Sequence, residues 1–257
     1  MTTPLIDPDA LRALHADGAV QIVDCRFRLG EHGAGRELFR EGHIPGALYL
    51  DLDDDLSAPR RDDVLGGRHP LPERDAFAAS VRAAGLRAGV PIVLYDDGTG
   101  GAARAWWVLR HHGVESRVLR GGLAAWGEPL EAGDPPTGGG DLELGLERED
   151  DLVFAEDVQA ATAAGVLVMD ARAPERYRGE VEPMDPVAGH IAGAINCPFN
   201  APDLPLAEIL ATPEAPIAYC GSGVTAAALI LRLADEGRDD VRLYAGSWSD
   251  WCARGLA

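Results

Sequence analysis

The feature that most constrains this chain is that it is written twice. A helical apolar pattern opens at Asp7-Pro8, carries Ala10, Leu11 and Leu14 on one face, stops at Gly18, and leads through Val20-Gln21-Ile22-Val23 to Asp24-Cys25-Arg26. The same succession returns as Phe154 to Ala164, Gly165, Val166 to Met169 and Asp170-Ala171-Arg172, with Asp170 lying 146 positions after Asp24. Gly42-His43-Ile44-Pro45-Gly46-Ala47 recurs as Gly189-His190-Ile191-Ala192-Gly193-Ala194 at an offset of 147. Pro91-Ile92-Val93-Leu94-Tyr95-Asp96, followed by Gly98-Thr99-Gly100-Gly101, parallels Pro216-Ile217-Ala218-Tyr219-Cys220 and its loop. Val118-Leu119-Arg120-Gly121-Gly122 with Trp126 parallels Leu243-Tyr244-Ala245-Gly246-Ser247 with Trp251, now at an offset of 125. Matches in this order identify a duplicated domain.

Each copy alternates strand-like and helix-like stretches, which predicts an α/β fold: two tandem domains, each a mainly parallel sheet flanked by helices. The boundaries read from the sequence are 1–127, a linker over 128–150, and 151–257. Pro129, Asp134-Pro135-Pro136 and Gly138-Gly139-Gly140 give the linker a partly extended, partly flexible composition. Ligands of open parallel sheets bind at the carboxyl ends of the strands, and Cys220 follows one such end.

The loop after that strand carries the chemistry. Gly221, Ser222, Gly223, Val224 and Thr225 lie between the apolar run and helix formers from about Ala226 to Arg232. Glycines let backbone N–H groups converge on one point, and the helix adds its positive end, so an anion is expected there. The side chain able to supply it is Cys220, whose thiol is acidified at a helix N-terminus. A packing thiol at a strand end has no use for Gly-Ser-Gly behind it. A nucleophile whose product is anionic does.

Cys-Gly-Ser-Gly-Val-Thr resembles the active-site loop of the rhodanese superfamily of sulfurtransferases, in particular its mercaptopyruvate branch, and the tandem arrangement is similar over nearly the whole chain. The resemblance implies that Cys220 takes sulfur from a small anionic donor, holds it as a persulfide among loop N–H groups, and passes it to a thiol, cyanide or thioredoxin-like acceptor, with no metal or organic cofactor. It also implies that the first copy has lost its nucleophile, and Asp96 stands where the second copy has Cys220. Thiosulfate-preferring members carry cationic residues directly after the cysteine, so the neutral Gly221-Ser222 favours 3-mercaptopyruvate. Thiosulfate:cyanide transfer is the alternative.

By the same resemblance Arg176 binds the donor anion, with Arg178 as a second candidate; a guanidinium grips a carboxylate through two parallel hydrogen bonds. A further arginine common after a Glu-Pro pair in the mercaptopyruvate branch is replaced here by Met184, which leaves Arg178 or a first-copy arginine such as Arg104 to reach in. A Ser-His-Asp relay proposed for relatives would use His43 with Ser222. Both copies keep the histidine, as His43 and His190, so a structural turn is the competing reading. The repeated Asp24-x-Arg26 and Asp170-x-Arg172 read as ion pairs fixing the following loops. The tryptophans read as core and interface aromatics, Cys25 and Cys197 as packing residues, and Cys252 as incidental.

Composition excludes other classes. With 42 acidic and 23 basic residues, all of the latter arginine, the net charge of −19 repels nucleic acid and anionic membranes. An apolar run of membrane-spanning length and a basic-then-apolar N-terminal leader are both missing, which predicts an untargeted soluble protein. Four scattered cysteines suit a reducing cytoplasm. A cysteine phosphatase would need an arginine six positions after the nucleophile, where this chain has Ala226. The intact loop argues against a non-catalytic binding module, and a persulfide carrier with a partner-specific acceptor stays as an alternative that absence of turnover with any small donor would favour.

Overall fold

The computed structural model describes residues 3–136 and 138–257. The chain divides into two compact units, one running through Ala58 and resuming over Pro72–Arg148, the other built from Pro59–Leu71 and Glu149–Ala257. In the first unit the elements are β1 (Leu5–Ile6), α1 (Pro8–Ala16), β2 (Gln21–Asp24), α2 (Ala34–Glu41), β3 (Leu48–Tyr49), α3 (Arg74–Ala83), β4 (Ile92–Tyr95), α4 (Gly101–His111), β5 (Arg117–Leu119) and α5 (Gly122–Trp126). The second runs β6 (Leu152–Val153), α6 (Ala155–Ala164), β7 (Val168–Asp170), α7 (Pro174–Tyr177), β8 (Ile195–Asn196), α8 (Leu206–Ala211), β9 (Ile217–Tyr219), α9 (Val224–Asp235), β10 (Arg242–Tyr244) and α10 (Ser247–Ala253).

Each unit is one five-stranded parallel sheet, ordered β1-β5-β4-β2-β3 in the first and β6-β10-β9-β7-β8 in the second. Element for element these are the same topology, as the repeat predicts. Strands covered on both faces should be continuous apolar runs, and β4 and β9 are buried at every residue. Register is duplicated too: Asp24 pairs with Tyr95, and Asp170 with Tyr219.

The repeated Asp-x-Arg is a buried hub at these strand ends. Arg26 donates from Nε and Nη2 to Asp24, and its Nη2 continues to the carbonyls of Leu38 and Gly42. Arg172 does the same with Asp170 and the Gly189 carbonyl. A tyrosine at the end of the central strand completes each hub, Tyr95 accepting from the Ile44 N–H and Tyr219 from that of Ile191. Thus the ion pair staples the Gly-His-Ile turn to the carboxyl edge of the sheet.

Two segments depart from the sequence-based division. The stretch read as a linker over 128–150 is stitched to the first unit: His43 and Glu131 exchange backbone hydrogen bonds, Gly140 donates to Arg82, Leu142 to Leu86, Gly145 to His112, and the Leu142 side chain is buried. Gly140 serves close approach rather than flexibility, since a Cβ on it would lie 2.2 Å from the Leu86 carbonyl oxygen. The other departure is Pro59–Leu71, which is numbered within the first copy yet packs in the second unit.

Candidate active site

Strand β9 ends at Tyr219, the chain turns through Cys220-Gly221-Ser222-Gly223, and α9 begins at Val224. Gly223 caps that helix at φ +81°, a left-handed conformation that glycine adopts without strain. Cys220 is 2% exposed, and the Gly223 N–H donates to its sulfur at 3.1 Å. Burial by itself pushes the thiol up. Hydrogen bonding from the Thr225 hydroxyl and from the N–H groups of Ser222, Ala226 and Gly223 outweighs it and holds the thiol below its ordinary value.

The first turn of α10 braces this loop from behind. Ser247, fully buried at φ +55°, accepts from the Cys220 N–H at 3.0 Å and donates to the Tyr244 carbonyl. The N–H groups of Trp248 and Ser249 donate to the carbonyls of Cys220 and Gly221. With both carbonyls tied back, the loop N–H groups are left to face inward, which is the arrangement an anionic sulfur requires.

Two guanidinium groups stand over the loop. A Cβ on Gly221 would lie 2.8 Å from Nη2 of Arg68 and 3.4 Å from Nη1 of Arg176. Arg176 is held by Glu182 (Nη2 to Oε1, 2.6 Å), which also accepts from Arg172 and from the N–H groups of Met184 and Asp185. Burial works against the Glu182 charge, but Arg176 and those N–H groups keep its carboxyl below the usual range. Arg68 is paired through Nη1 with the buried Asp185, and its Nε is buried without a hydrogen bond among the described residues. Beside it, His69 Nδ1 and Ser222 Oγ are 2.8 Å apart, both buried. With Nδ1 unprotonated, the serine hydroxyl donates to the imidazole.

Arg68 and His69 belong to a strap, Pro59–Leu71, that is seated on α10. Gly66 donates to Asp250 Oδ1 at 2.8 Å and Arg68 to Ser249 Oγ at 3.2 Å, while the Gly246 carbonyl oxygen lies 2.6 Å from where a Gly67 Cβ would be. The arrangement therefore presents a buried acidified thiol in an N–H cradle, two cations over the first loop glycine, and a serine–histidine pair.

A family model described as a rhodanese-like domain matches residues 7–129 and again 154–254. The chain belongs to the rhodanese family. A probable 3-mercaptopyruvate sulfurtransferase of Pseudomonas aeruginosa is 42% identical over 270 residues, covering 96% of this chain and 94% of the relative. A Mycobacterium tuberculosis protein provisionally named thiosulfate sulfurtransferase SseB is 40% identical over 263 residues, covering 93% and 89%. The crystal structure of SseA from Escherichia coli, described with the rhodanese fold and mechanism of 3-mercaptopyruvate sulfotransferases, matches with a TM-score of 0.80 at 33% identity over 96% of this chain and all of that one.

Against the sequence-based expectations, this rhodanese brings together Cys220, its loop and Arg176, and it does not bring in the other candidates. His43 is buried in the first unit with Nδ1 at 2.7 Å from the Phe39 carbonyl, stacked on the Phe39 ring. The histidine on Ser222 is His69, so the expected pairing of His43 with Ser222 is replaced. His190 repeats the structural role of His43, bonding the Tyr177 carbonyl. Arg178 points to solvent and pairs with Glu180. Arg104 is fully buried in the first unit, donating to the Leu56 carbonyl. The side chain of Met184 is 40% exposed and its backbone serves Glu182. The cation that joins Arg176 is Arg68.

A signal for the strap did exist. The repeat offset falls from 147 to 125 between the Gly-His-Ile turn and the Pro-Ile strand, so the first copy carries 22 extra residues there, and they include Arg68 and His69. Nothing in residue type alone ties such an insertion to the other copy's loop.

The first rhodanese domain keeps the loop without the thiol. Asp96 accepts the N–H groups of Gly98, Gly100 and Ala102 at 2.8–3.0 Å, so its carboxylate occupies the cradle that in the second domain surrounds sulfur. Burial raises its pKa, and the three N–H groups only partly offset that. Cys25 and Cys197 are fully buried, their thiols pushed up by burial, that of Cys197 to about 11. Cys252, partly buried, is pushed to about 11 by the same cause.

Proposed function

We propose that the chain is a sulfurtransferase that moves sulfur from 3-mercaptopyruvate through a persulfide on Cys220 to a thiol, cyanide or thioredoxin-like acceptor. The observation that carries this reading is the pairing of an acidified Cys220 with Arg68 and Arg176 over a neutral Gly221. Such a mouth suits a carboxylate two carbons from the sulfur that is attacked. The Cys220 thiolate attacks the donor sulfur; an S–S bond forms as the C–S bond breaks, and the electron pair leaves as the enolate of pyruvate. That enolate takes up the proton given up by the donor thiol, so pyruvate departs and the persulfide remains anionic. The N–H groups around the sulfur stabilise that charge. In the other tautomer, with Nδ1 protonated, His69 donates to Ser222 Oγ and frees the serine hydroxyl hydrogen for the developing enolate oxygen.

Asp96 fills the cradle of the first domain with its own carboxyl group and supplies no nucleophile, and we assign that domain no turnover. The acceptor is a small thiol or a thioredoxin-like protein rather than a nucleic acid or a membrane, as the net charge of −19 supports. Among the described residues no helix is long and apolar enough to cross a membrane. Four free cysteines, including a nucleophile that must stay reduced, fit a cytoplasmic setting.

Steady-state transfer tests this: kcat/KM with 3-mercaptopyruvate should exceed that with thiosulfate for one common acceptor, and Cys220→Ser should abolish both. Retained transfer by Cys220→Ser contradicts the proposed carrier, and a preference for thiosulfate contradicts the proposed donor.

A further inference from the structure

Around the mouth of the loop the guanidinium groups of Arg68, Arg172 and Arg176 are matched by the carboxylates of Asp170, Glu182 and Asp185. The matching is uneven in kind. Asp170 and Glu182 are saturated by hydrogen bonds and hold Arg172 and Arg176 in place. Asp185 is different. One oxygen pairs with Arg68, while Oδ2 is buried, accepts no hydrogen bond among the described residues, and lies 3.7 Å from Nη2 of Arg176. Its carboxylate therefore touches both cations that overhang Gly221, with its side chain only 3% exposed. A negative charge so placed cancels about one unit of the attraction that the pair could exert on a donor. It remains inside a poorly solvated site where charges are weakly screened.

We propose that Asp185 is a donor-selecting residue that keeps the mouth suited to a monoanion and disfavours a dianion. The inference rests on the sulfur-transfer reading above. 3-Mercaptopyruvate, with its thiol protonated, brings one negative charge, and thiosulfate brings two. Each feels the Asp185 carboxylate in proportion to its charge, so removing that carboxylate favours the dianion more. The position next to it is already Met184 rather than a cation, so Asp185 sets the balance against Arg68 and Arg176 alone.

The experiment compares kcat/KM for thiosulfate and for 3-mercaptopyruvate, with cyanide as common acceptor, in the unmodified protein, Asp185→Asn and Asp185→Glu. Asp185→Asn should raise the thiosulfate-to-mercaptopyruvate ratio by at least ~10-fold, chiefly through KM. Asp185→Glu, which restores the charge, should hold the ratio near that of the unmodified protein. A loss in Asp185→Asn that leaves the ratio unchanged or lowers it, as misplacement of Arg68 would, overturns the role of Asp185, and so does a ratio that rises as far in Asp185→Glu. Failure of the unmodified protein to transfer sulfur from either donor, or transfer retained in Cys220→Ser, overturns instead the reading of the site on which the role depends.

Discussion

What surrounds a single residue sets the chemistry of each domain, the Cys220 sulfur in the second and the Asp96 carboxylate in the first. The Thr225 hydroxyl is the foremost of the groups that lower the Cys220 thiol, because it donates to the charged form. Alkylation by iodoacetamide should therefore reach its plateau at a lower pH than for an ordinary cysteine. Thr225→Val removes a donor to the thiolate, so the midpoint should move up in pH; a midpoint that stays or falls contradicts the assigned cause. In the first domain, Asp96→Ala leaves the N–H groups of Gly98, Gly100 and Ala102 without their acceptor in a buried loop. The expected cost is about 1–3 kcal/mol, read from denaturant unfolding. An unchanged midpoint would mean that the carboxylate contributes nothing to that loop. Turnover should be lost only to the extent that folding is lost.

At the scale of elements, α10 is the common footing of the site. Its first turn ties down the nucleophile loop through Ser247, Trp248 and Ser249, and the strap through Ser249, Asp250 and Gly246. The relative position of Cys220 and Arg68 is set by one short helix. Gly67 sits at φ +91° against the Gly246 carbonyl, where a side chain meets both strain and contact. Gly67→Ala should lower kcat/KM for the donor by at least ~10-fold, while the alkylation rate of Cys220 changes little. Parallel loss of both would show that the loop depends on the strap and not on α10. This division also explains what the sequence revealed. The sheet, the duplicated hubs and the cysteine loop are local patterns of apolar runs and glycines, legible residue by residue. The strap was not, because Gly66-Gly67-Arg68-His69 makes its hydrogen bonds to residues far along the chain, and only the jump in repeat offset marks it. His43 is the opposite case, a histidine in a repeated turn whose bonding, to Phe39, is local.

At the scale of the whole molecule, a net charge of −19 surrounds a site that must admit an anion. Long-range repulsion is screened by salt, whereas the buried Arg68 and the partly buried Arg176 over Gly221 are screened much less. Raising the ionic strength from ~10 mM to ~0.2 M, which shortens the Debye length from roughly 30 Å to below 10 Å, should therefore increase kcat/KM, and more for thiosulfate than for 3-mercaptopyruvate. A monotonic fall would mean that the local cations dominate even at a distance. The duplication places a cradle in each domain, one filled by the Asp96 carboxylate and one built around the Cys220 thiol, so a single sulfur is expected per chain. Mass spectrometry of the protein after exposure to 3-mercaptopyruvate without acceptor tests that most directly. One added sulfur is expected, on the peptide containing Cys220, released by cyanide and absent in Cys220→Ser. Sulfur carried by Cys25, Cys197 or Cys252, or its persistence in Cys220→Ser, would contradict it.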